Sequence, residues 1–328
     1  MTEQIPAIDI APFFAGDTEG KASVARAVAR ACEEIGFVVI SGHGVPRETL
    51  DTLFERGFAF FDQPTEVKNR WAPTGDAKQR GYHPLATRGL SATLGKDAPK
   101  DLRESIFIGP IDDRRAAYAH LPEASTAYAP NIIPDQPAGV DVAMIAMYRA
   151  FERLGADLMR IFAVALEMPE DYFAPLLDRH FAVLSTHHYP ALTEPPLPGQ
   201  LRTGEHTDYG ALTVLAVTQA NGGLEARRAD GTWLPVQPGP GELIVNLGDM
   251  MQRWTNDRWV STLHRVVTPE NLNDAMSRRI AVGYFLHPNY DAEIACIPTC
   301  LRPGEAPKYP PTTAGGHIRA KIDASHKK

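Results

Sequence analysis

Cysteine is scarce in this 328-residue sequence, which has only Cys32, Cys296 and Cys300. Three thiols cannot build a disulfide framework, so the fold must rest on a packed core, and a reducing compartment is the expectation. Cys296-x-x-x-Cys300 has the look of half a metal site. No second cysteine pair accompanies it, and two ordinary cysteines are the simpler reading. Positive charge is also in deficit. Lys and Arg number 33 against 40 Asp and Glu, a net charge of −7, which argues against a nucleic-acid backbone as the main partner. No run approaches the ~18 apolar residues of a membrane span. The opening stretch MTEQIPAIDIAPFFAG has neither the basic region nor the apolar stretch of a secretory leader, so a cytoplasmic protein is expected. Internal repeats and low-complexity segments are missing as well.

An apolar content of 44% with 22% charged residues is enough to bury a large core over this length. Residues 5–10 (IPAIDI) read as a short strand, 21–36 as an amphipathic helix closed by Gly36, and 37–44 (FVVISGHG) as a β-branched strand ending in a glycine turn. Residues 46–64 read as a second helix, with Leu50, Leu53, Phe54 and Phe58 at helical spacing, and 101–109 as a strand. The longest helical pattern is 138–168, with a break expected near Gly155. After about residue 180 the chain turns into short β-rich runs: FAVLSTHHYP, ALTVLAVT, GLEARRADGTWLPV, GELIVNLGD, HRVVTP and RRIAVGYFLHP. Asp230-Gly231 marks a hairpin, and the Pro-rich 192–200 segment a surface loop. Strands at this spacing predict a sandwich or barrel. With helices in the first half, the class is α+β, a β core flanked by helices.

Of the 11 histidines, only His206 has an acidic residue two places on, Asp208. Composition alone yields about one His-x-acid triplet by chance, so the triplet decides nothing by itself. A third candidate is His264, at the start of a predicted strand. Two imidazoles and a carboxylate converging in a small barrel make the facial triad that holds Fe(II) and leaves three coordination positions open. Alternation would point His206 and Asp208 to the same side of a strand. A histidine in an apolar run is more often simply packed, so the triad needs support from elsewhere.

That support comes from 277–289, SRRIAVGYFLHPN. Period two puts Arg279, Ala281, Gly283 and Phe285 on one face and Arg278, Ile280, Val282 and Tyr284 on the other. An inward guanidinium beside two very small residues suits a carboxylate held by a forked pair of hydrogen bonds. Arg278 reads as an exposed strand arginine. Tyr189, in STHHYP, could add a hydroxyl to the same acid.

In this order, His206-Thr207-Asp208, His264 and Arg279 resemble the isopenicillin N synthase-like family of iron(II)/2-oxoglutarate oxygenases. The blocks IPAIDIAPFF, ACEEIGFVVISGHGVP, HHYP, HTDYGALTVL, GGLEARRADGTWLPVQPGPGELIVNLGDMMQRWTNDRW and STLHRVV all look like family landmarks in family order. The resemblance implies a double-stranded β-helix (jelly-roll) core flanked by helices, mainly from the N-terminal half. It divides the chain into a helical and strand region (1–120), a helical segment packing on the core (121–175), the oxygenase β core (176–290) and a C-terminal tail (291–328). It implies Fe(II) on His206, Asp208 and His264, with 2-oxoglutarate anchored through its distal carboxylate by Arg279 and assisted by Tyr189. His187 would lie near the chelating end of the cosubstrate. O2 would be the oxidant, with ascorbate in a supporting role. A C–H bond of a small molecule would be oxidised, with hydroxylation first among the outcomes and desaturation or ring closure as the others. No nucleic-acid or membrane partner is implied. The sequence departs from the usual Arg-x-Ser at Arg279-Ile280-Ala281. An iron oxidase of the same fold that does without 2-oxoglutarate, or a non-catalytic metal- or ligand-binding protein, are therefore the alternatives. The segments 79–95 and 103–109 are expected to line the substrate, with Tyr82, Arg88 and Phe107 as contacts. Arg88, Arg202 and Arg253 would suit an acidic molecule.

Overall fold

A computed structural model describes residues 4–75, 77–95, 98–192, 194–218, 223–269 and 277–326. In chain order the elements are β1 (Ala7–Asp9), α1 (Ala11–Phe14), α2 (Thr18–Glu34), β2 (Phe37–Ser41), α3 (Arg47–Phe61), α4 (Thr65–Lys68), β3 (Gly81–His83), β4 (Glu104–Ile108), α5 (Val140–Ala165), β5 (Val183–Tyr189), β6 (Thr203–His206), β7 (Leu212–Val217), β8 (Leu224–Arg227), β9 (Trp233–Pro235), β10 (Leu243–Leu247), α6 (Asp249–Trp254), β11 (His264–Val266), β12 (Arg279–Leu286), β13 (Glu293–Ile294), β14 (Thr312–Thr313) and α7 (Ala314–His326). The 192–200 segment is neither helix nor strand where it is described, residue 193 lying outside the described set.

Two sheets build the core. The larger has the order β1-β2-β10-β7-β12-β5-β4-β3, the smaller β6-β11-β8-β9. Alternation along β12 sends Ile280, Val282, Tyr284 and Leu286 to the outer face, where they join Val28, Leu53 and Phe151 of the flanking helices in one apolar cluster. The inner face carries Val39, Tyr189, Ile244 and Ala281, which pack against Leu224, Ala226 and Val266 of the smaller sheet in a second cluster. Two sheets, antiparallel except for the parallel β1–β2 pair, enclose an inner core with helices on one outer face, the jelly-roll α+β arrangement. Strands β1 to β4, from the first 120 residues, belong to the same large sheet as the later strands.

Most predicted elements are present, with instructive differences. Helix α2 begins three residues before the predicted start because Asp17 caps it, accepting hydrogen bonds from Glu19 N (3.2 Å) and Gly20 N (2.9 Å). Helix α5 runs unbroken through Gly155. This glycine is a packing device: a Cβ there would lie 3.3 Å from the Tyr284 ring, so its small size lets helix and strand approach. The predicted hairpin at Asp230-Gly231 joins β8 to β9, with Gly231 at φ +89.

Arg278 is not the exposed residue expected. Its side chain is half-buried and lies over the Phe58 ring, with Nε donating to His188 Nε2 (2.9 Å) and Nη2 to Asp62 Oδ1 (2.6 Å). His188 Nδ1 in turn donates to Glu104 Oε1 (2.8 Å), while Glu104 Oε2 takes Lys68 Nζ (2.7 Å) and the Tyr82 hydroxyl (2.5 Å). Glu104, Lys68, Tyr82 and His188 are buried between the large sheet and α3–α4, on the face away from the inner core, with Arg278 and Asp62 at the solvent edge of this polar knot.

Candidate metal centre

Strand β6 ends at His206 and β11 begins at His264, and the two residues are register partners. His206 Nδ1 lies 2.8 Å from Gly204 O and His264 Nδ1 lies 3.0 Å from Thr262 O. A carbonyl can only accept, so each ring carries its proton on Nδ1 and presents an unprotonated Nε2. Those Nε2 atoms stand 3.7 and 3.8 Å from Asp208 Oδ1. The other oxygen, Asp208 Oδ2, accepts from Thr213 Oγ1 (2.5 Å) and Asn246 Nδ2 (2.7 Å). Three donor atoms without hydrogen-bonded protons thus converge within 4.8 Å of one another. Among the described residues this is the one group of His, Cys, Asp and Glu that could hold a metal ion; Cys296 and Cys300 are free thiols in no such group.

Alternation is not what aligns His206 with Asp208, because the strand stops between them. Asp208 sits in the turn that follows, pinned by Asp249 N donating to Asp208 O (2.7 Å) and by Thr207 Oγ1 donating to Asp249 Oδ2 (3.2 Å). All three side chains are buried. Burial, together with the neighbouring His264, pushes the His206 pKa well down and keeps that imidazole neutral. Burial alone would raise Asp208. The pKa is nonetheless lowered, and the hydrogen bonds that Thr213 and Asn246 donate to Oδ2 favour the ionised carboxylate. Neutral imidazole and ionised carboxylate are the forms that bind Fe(II).

Arg279 opens β12 opposite Tyr189 on β5, and its guanidinium lies 5.0 Å from the Tyr189 ring centroid inside the barrel. It leans over Gly223, where a Cβ would come within 2.7 Å of Arg279 Nη1 and where φ is +136. Only glycine meets both demands. The Tyr189 hydroxyl is 3.0 Å from Thr203 Oγ1, and Ala281 is the next inward residue of β12. Arg202 is fully buried near this end, but both Nη atoms bond backbone carbonyls, of Ser277 (2.5 Å) and Pro190 (3.2 Å).

His187 lies on the same inner face as Tyr189. Its Nδ1 is 2.7 Å from Ser105 Oγ and its Nε2 is 2.9 Å from Ser185 Oγ, and Arg103 Nη1 donates to Nε2 (3.3 Å). Burial, followed by the charge of Arg103, holds this ring neutral. Phe107 stands edge-on between His83 (5.2 Å) and His187 (5.6 Å), with the Arg88 guanidinium 5.2 Å from its ring centroid. Tyr82 faces the opposite side of β3, bonded to Glu104. Arg253 lies on α6, stacked on Tyr309 and bonded to Pro310 O (2.6 Å). Sequence reasoning does not single out Thr203, Thr213 or Asn246, and it places Arg103 in the substrate-lining 103–109 stretch without naming it as a contact. Inward position in a strand could have flagged Thr213 and Asn246, both polar in otherwise apolar runs.

Two family models match the chain in succession. The N-terminal region of "non-haem dioxygenase in morphine synthesis" covers residues 5–136 and the "2OG-Fe(II) oxygenase superfamily" covers 180–288. The 2-oxoglutarate-Fe(II) type oxidoreductase hxnY of Emericella nidulans is 31% identical, over 98% of this chain and 90% of its own length. The proline hydroxylase buaE of Petromyces alliaceus is 33% identical, over 85% of this chain and 86% of its own. A full-length Neurospora crassa protein, solved in complex with alpha-KG (2-oxoglutarate), superposes with a TM-score of 0.86 at 28% identity, over 99% of this chain and 98% of that one. The chain belongs to the 2OG-Fe(II) oxygenase superfamily. It is an iron(II)- and 2-oxoglutarate-dependent dioxygenase, and O2 is its oxidant. No helix among the described residues is long and apolar enough to cross a membrane.

Proposed function

We propose that His206, Asp208 and His264 hold the iron, that Arg279 and Tyr189 anchor the distal carboxylate of 2-oxoglutarate, and that the enzyme hydroxylates a C–H bond of a small molecule. The observation that carries this reading is the convergence of His206 Nε2, His264 Nε2 and Asp208 Oδ1, each on a side chain whose other polar atom is already bonded. When bound, iron, 2-oxoglutarate and O2 supply an oxidant strong enough to cleave a C–H bond, with release of succinate and CO2.

The residues of this chain orient, neutralise and exclude. Backbone carbonyls hold both imidazoles in the ligating tautomer. Thr213 and Asn246 fix the Asp208 carboxylate so that one oxygen faces the imidazoles. Arg279, buried against Tyr189, offers a guanidinium to an acid entering the barrel, and Thr203 provides a hydroxyl beside Tyr189 where Ala281 has none. His187, locked by Ser105, Ser185 and Arg103, forms a neutral wall beside the chelating end of the cosubstrate. Val39, Ile244, Leu224 and Val266 keep the inner core dry, and the Phe37 ring lies edge-on to His264 at 5.4 Å. A dry, apolar surround confines the oxidant to the bound substrate.

The test is succinate formation with Fe(II), 2-oxoglutarate and ascorbate, alongside calorimetric metal titration. Wild type is expected to bind one Fe(II) per chain and to form succinate. The His206→Ala/His264→Ala double variant is expected to do neither while keeping its circular dichroism spectrum. Metal-dependent oxygen consumption by the double variant would overturn the assignment.

A further inference from the structure

The wall that carries Phe107 also carries two arginines. Arg103 precedes β4, and Arg88 follows β3 and returns over the Phe107 ring. One buried residue ties both to the metal centre. Asp101 N donates to Arg88 O (2.8 Å), Asp101 Oδ2 accepts from Leu90 N (3.2 Å) and lies 3.4 Å from Arg103 Nη2, and Asp101 Oδ1 accepts from Gly204 N (3.0 Å), two residues before His206. The guanidiniums are close enough for the charge of Arg103 to oppose that of Arg88, whose pKa burial lowers first.

The charges on this wall do not balance. Asp101 pairs with Arg103, while the side chain of Arg88 is bonded to a neutral group, Gln79 Oε1 at 2.8 Å. Arg88 has no carboxylate partner among the described residues, and nearby Lys100 is exposed to solvent. Two half-buried guanidiniums and one carboxylate leave a single positive charge facing the interior. Desolvating a cation without a counter-charge is costly, so such a wall favours a ligand that brings the missing anion. A planar guanidinium offers a carboxylate a forked pair of hydrogen bonds. One uncompensated charge fits a monoanion better than a phosphate dianion, which would leave negative charge buried. Arg279 lies beside Tyr189 at another part of the inner face, so the two acids would have separate cations.

We propose that the primary substrate is a small organic acid whose carboxylate seats between Arg88 and Arg103, with its apolar body against Phe107 and His187 and the bond to be oxidised turned toward the metal centre. This rests on the proposed function, and the experiment separates the two. Equilibrium dialysis under anaerobic conditions, on enzyme loaded with Fe(II) and 2-oxoglutarate, compares phenylacetate and hexanoate with phenylacetamide and hexanamide. The acids are expected to bind at least about tenfold tighter than the amides, the span of a charge-assisted contact. Arg88→Gln is expected to erase that preference and Arg88→Lys to keep part of it. Arg103→Gln should act in the same direction, so the inference stays testable if one variant fails to fold. Wild-type enzyme that shows no acid preference, or a folded Arg88→Gln variant that keeps it, overturns the inference. Succinate formation by wild type without any added acid reports on the metal centre alone. Its absence overturns the proposed function while the dialysis still judges the arginine pair.

Discussion

His206 and His264 face each other across β6 and β11 with ring centroids 4.2 Å apart. Two imidazoles this close, both turned toward Asp208 Oδ1, form a site whose geometry depends on the groups behind it. Thr213 and Asn246 hold the far oxygen of Asp208. Replacing either, as Thr213→Val or Asn246→Ala, is expected to weaken metal affinity about 10- to 100-fold, as loss of such supporting bonds does elsewhere. Titration of the metal-free protein with Fe(II) measures this. Affinity unchanged in both variants would mean that Asp208 is held by the turn alone.

Arg279→Lys is expected to raise the 2-oxoglutarate concentration needed for half-maximal succinate formation by at least about tenfold, because an ammonium cannot reproduce the fork. Arg278→Lys is expected to leave that requirement alone, since Arg278 points into the outer polar knot. Comparable effects at both positions would contradict the strand register.

On the proposed anchoring, Thr203, whose Oγ1 lies 3.0 Å from the Tyr189 hydroxyl, would supply a hydroxyl that Ala281 lacks. Tyr189→Phe and Thr203→Val should each weaken 2-oxoglutarate binding. Ala281→Ser should tighten it or leave it unchanged, since one hydrogen bond to a charged group is worth at most about 1.5–3 kcal/mol. A clear loss of affinity in Ala281→Ser would indicate that the methyl at 281 makes room for something else.

Glu104 stands at the centre of the outer knot, accepting from Lys68, Tyr82 and His188. Burial raises its pKa, but the bonds from His188, Lys68 and Tyr82 outweigh that and leave it lowered from the ordinary 4.5. A carboxylate with a depressed folded pKa contributes stability above its unfolded pKa and loses it as pH falls through the folded value. Glu104→Gln is expected to cost about 3–5 kcal/mol near neutral pH, because Lys68 is left buried beside a neutral group. The gap between wild type and variant should stay level above about pH 4.5 and narrow below it. Denaturant melts over a pH series measure this, and a gap that widens in acid would reverse the assigned sign.

Short-range information determined much of this protein. The helical periods of α2, α3 and α5, the alternation along β12 and the Asp230-Gly231 hairpin depend on residues within a few places of one another, and each was legible in the sequence. So were the candidate ligands His206, Asp208 and His264, because a histidine with an acidic residue two places on occurs once in the chain and the surrounding blocks fall in a recognisable order. Other features were decided only when distant segments met. Gly155 reads as a helix break until Tyr284 packs on it. Arg278 reads as exposed until Asp62 and His188 close around it. Asp208 falls in line with His206 through a turn pinned by Asp249, not through strand alternation. Arg88 and Arg103 are brought to one wall because Asp101 ties 88, 90, 103 and 204 together. Side-chain environment depends on contacts between residues far apart in the chain, and local pattern carries no record of which segments will supply them.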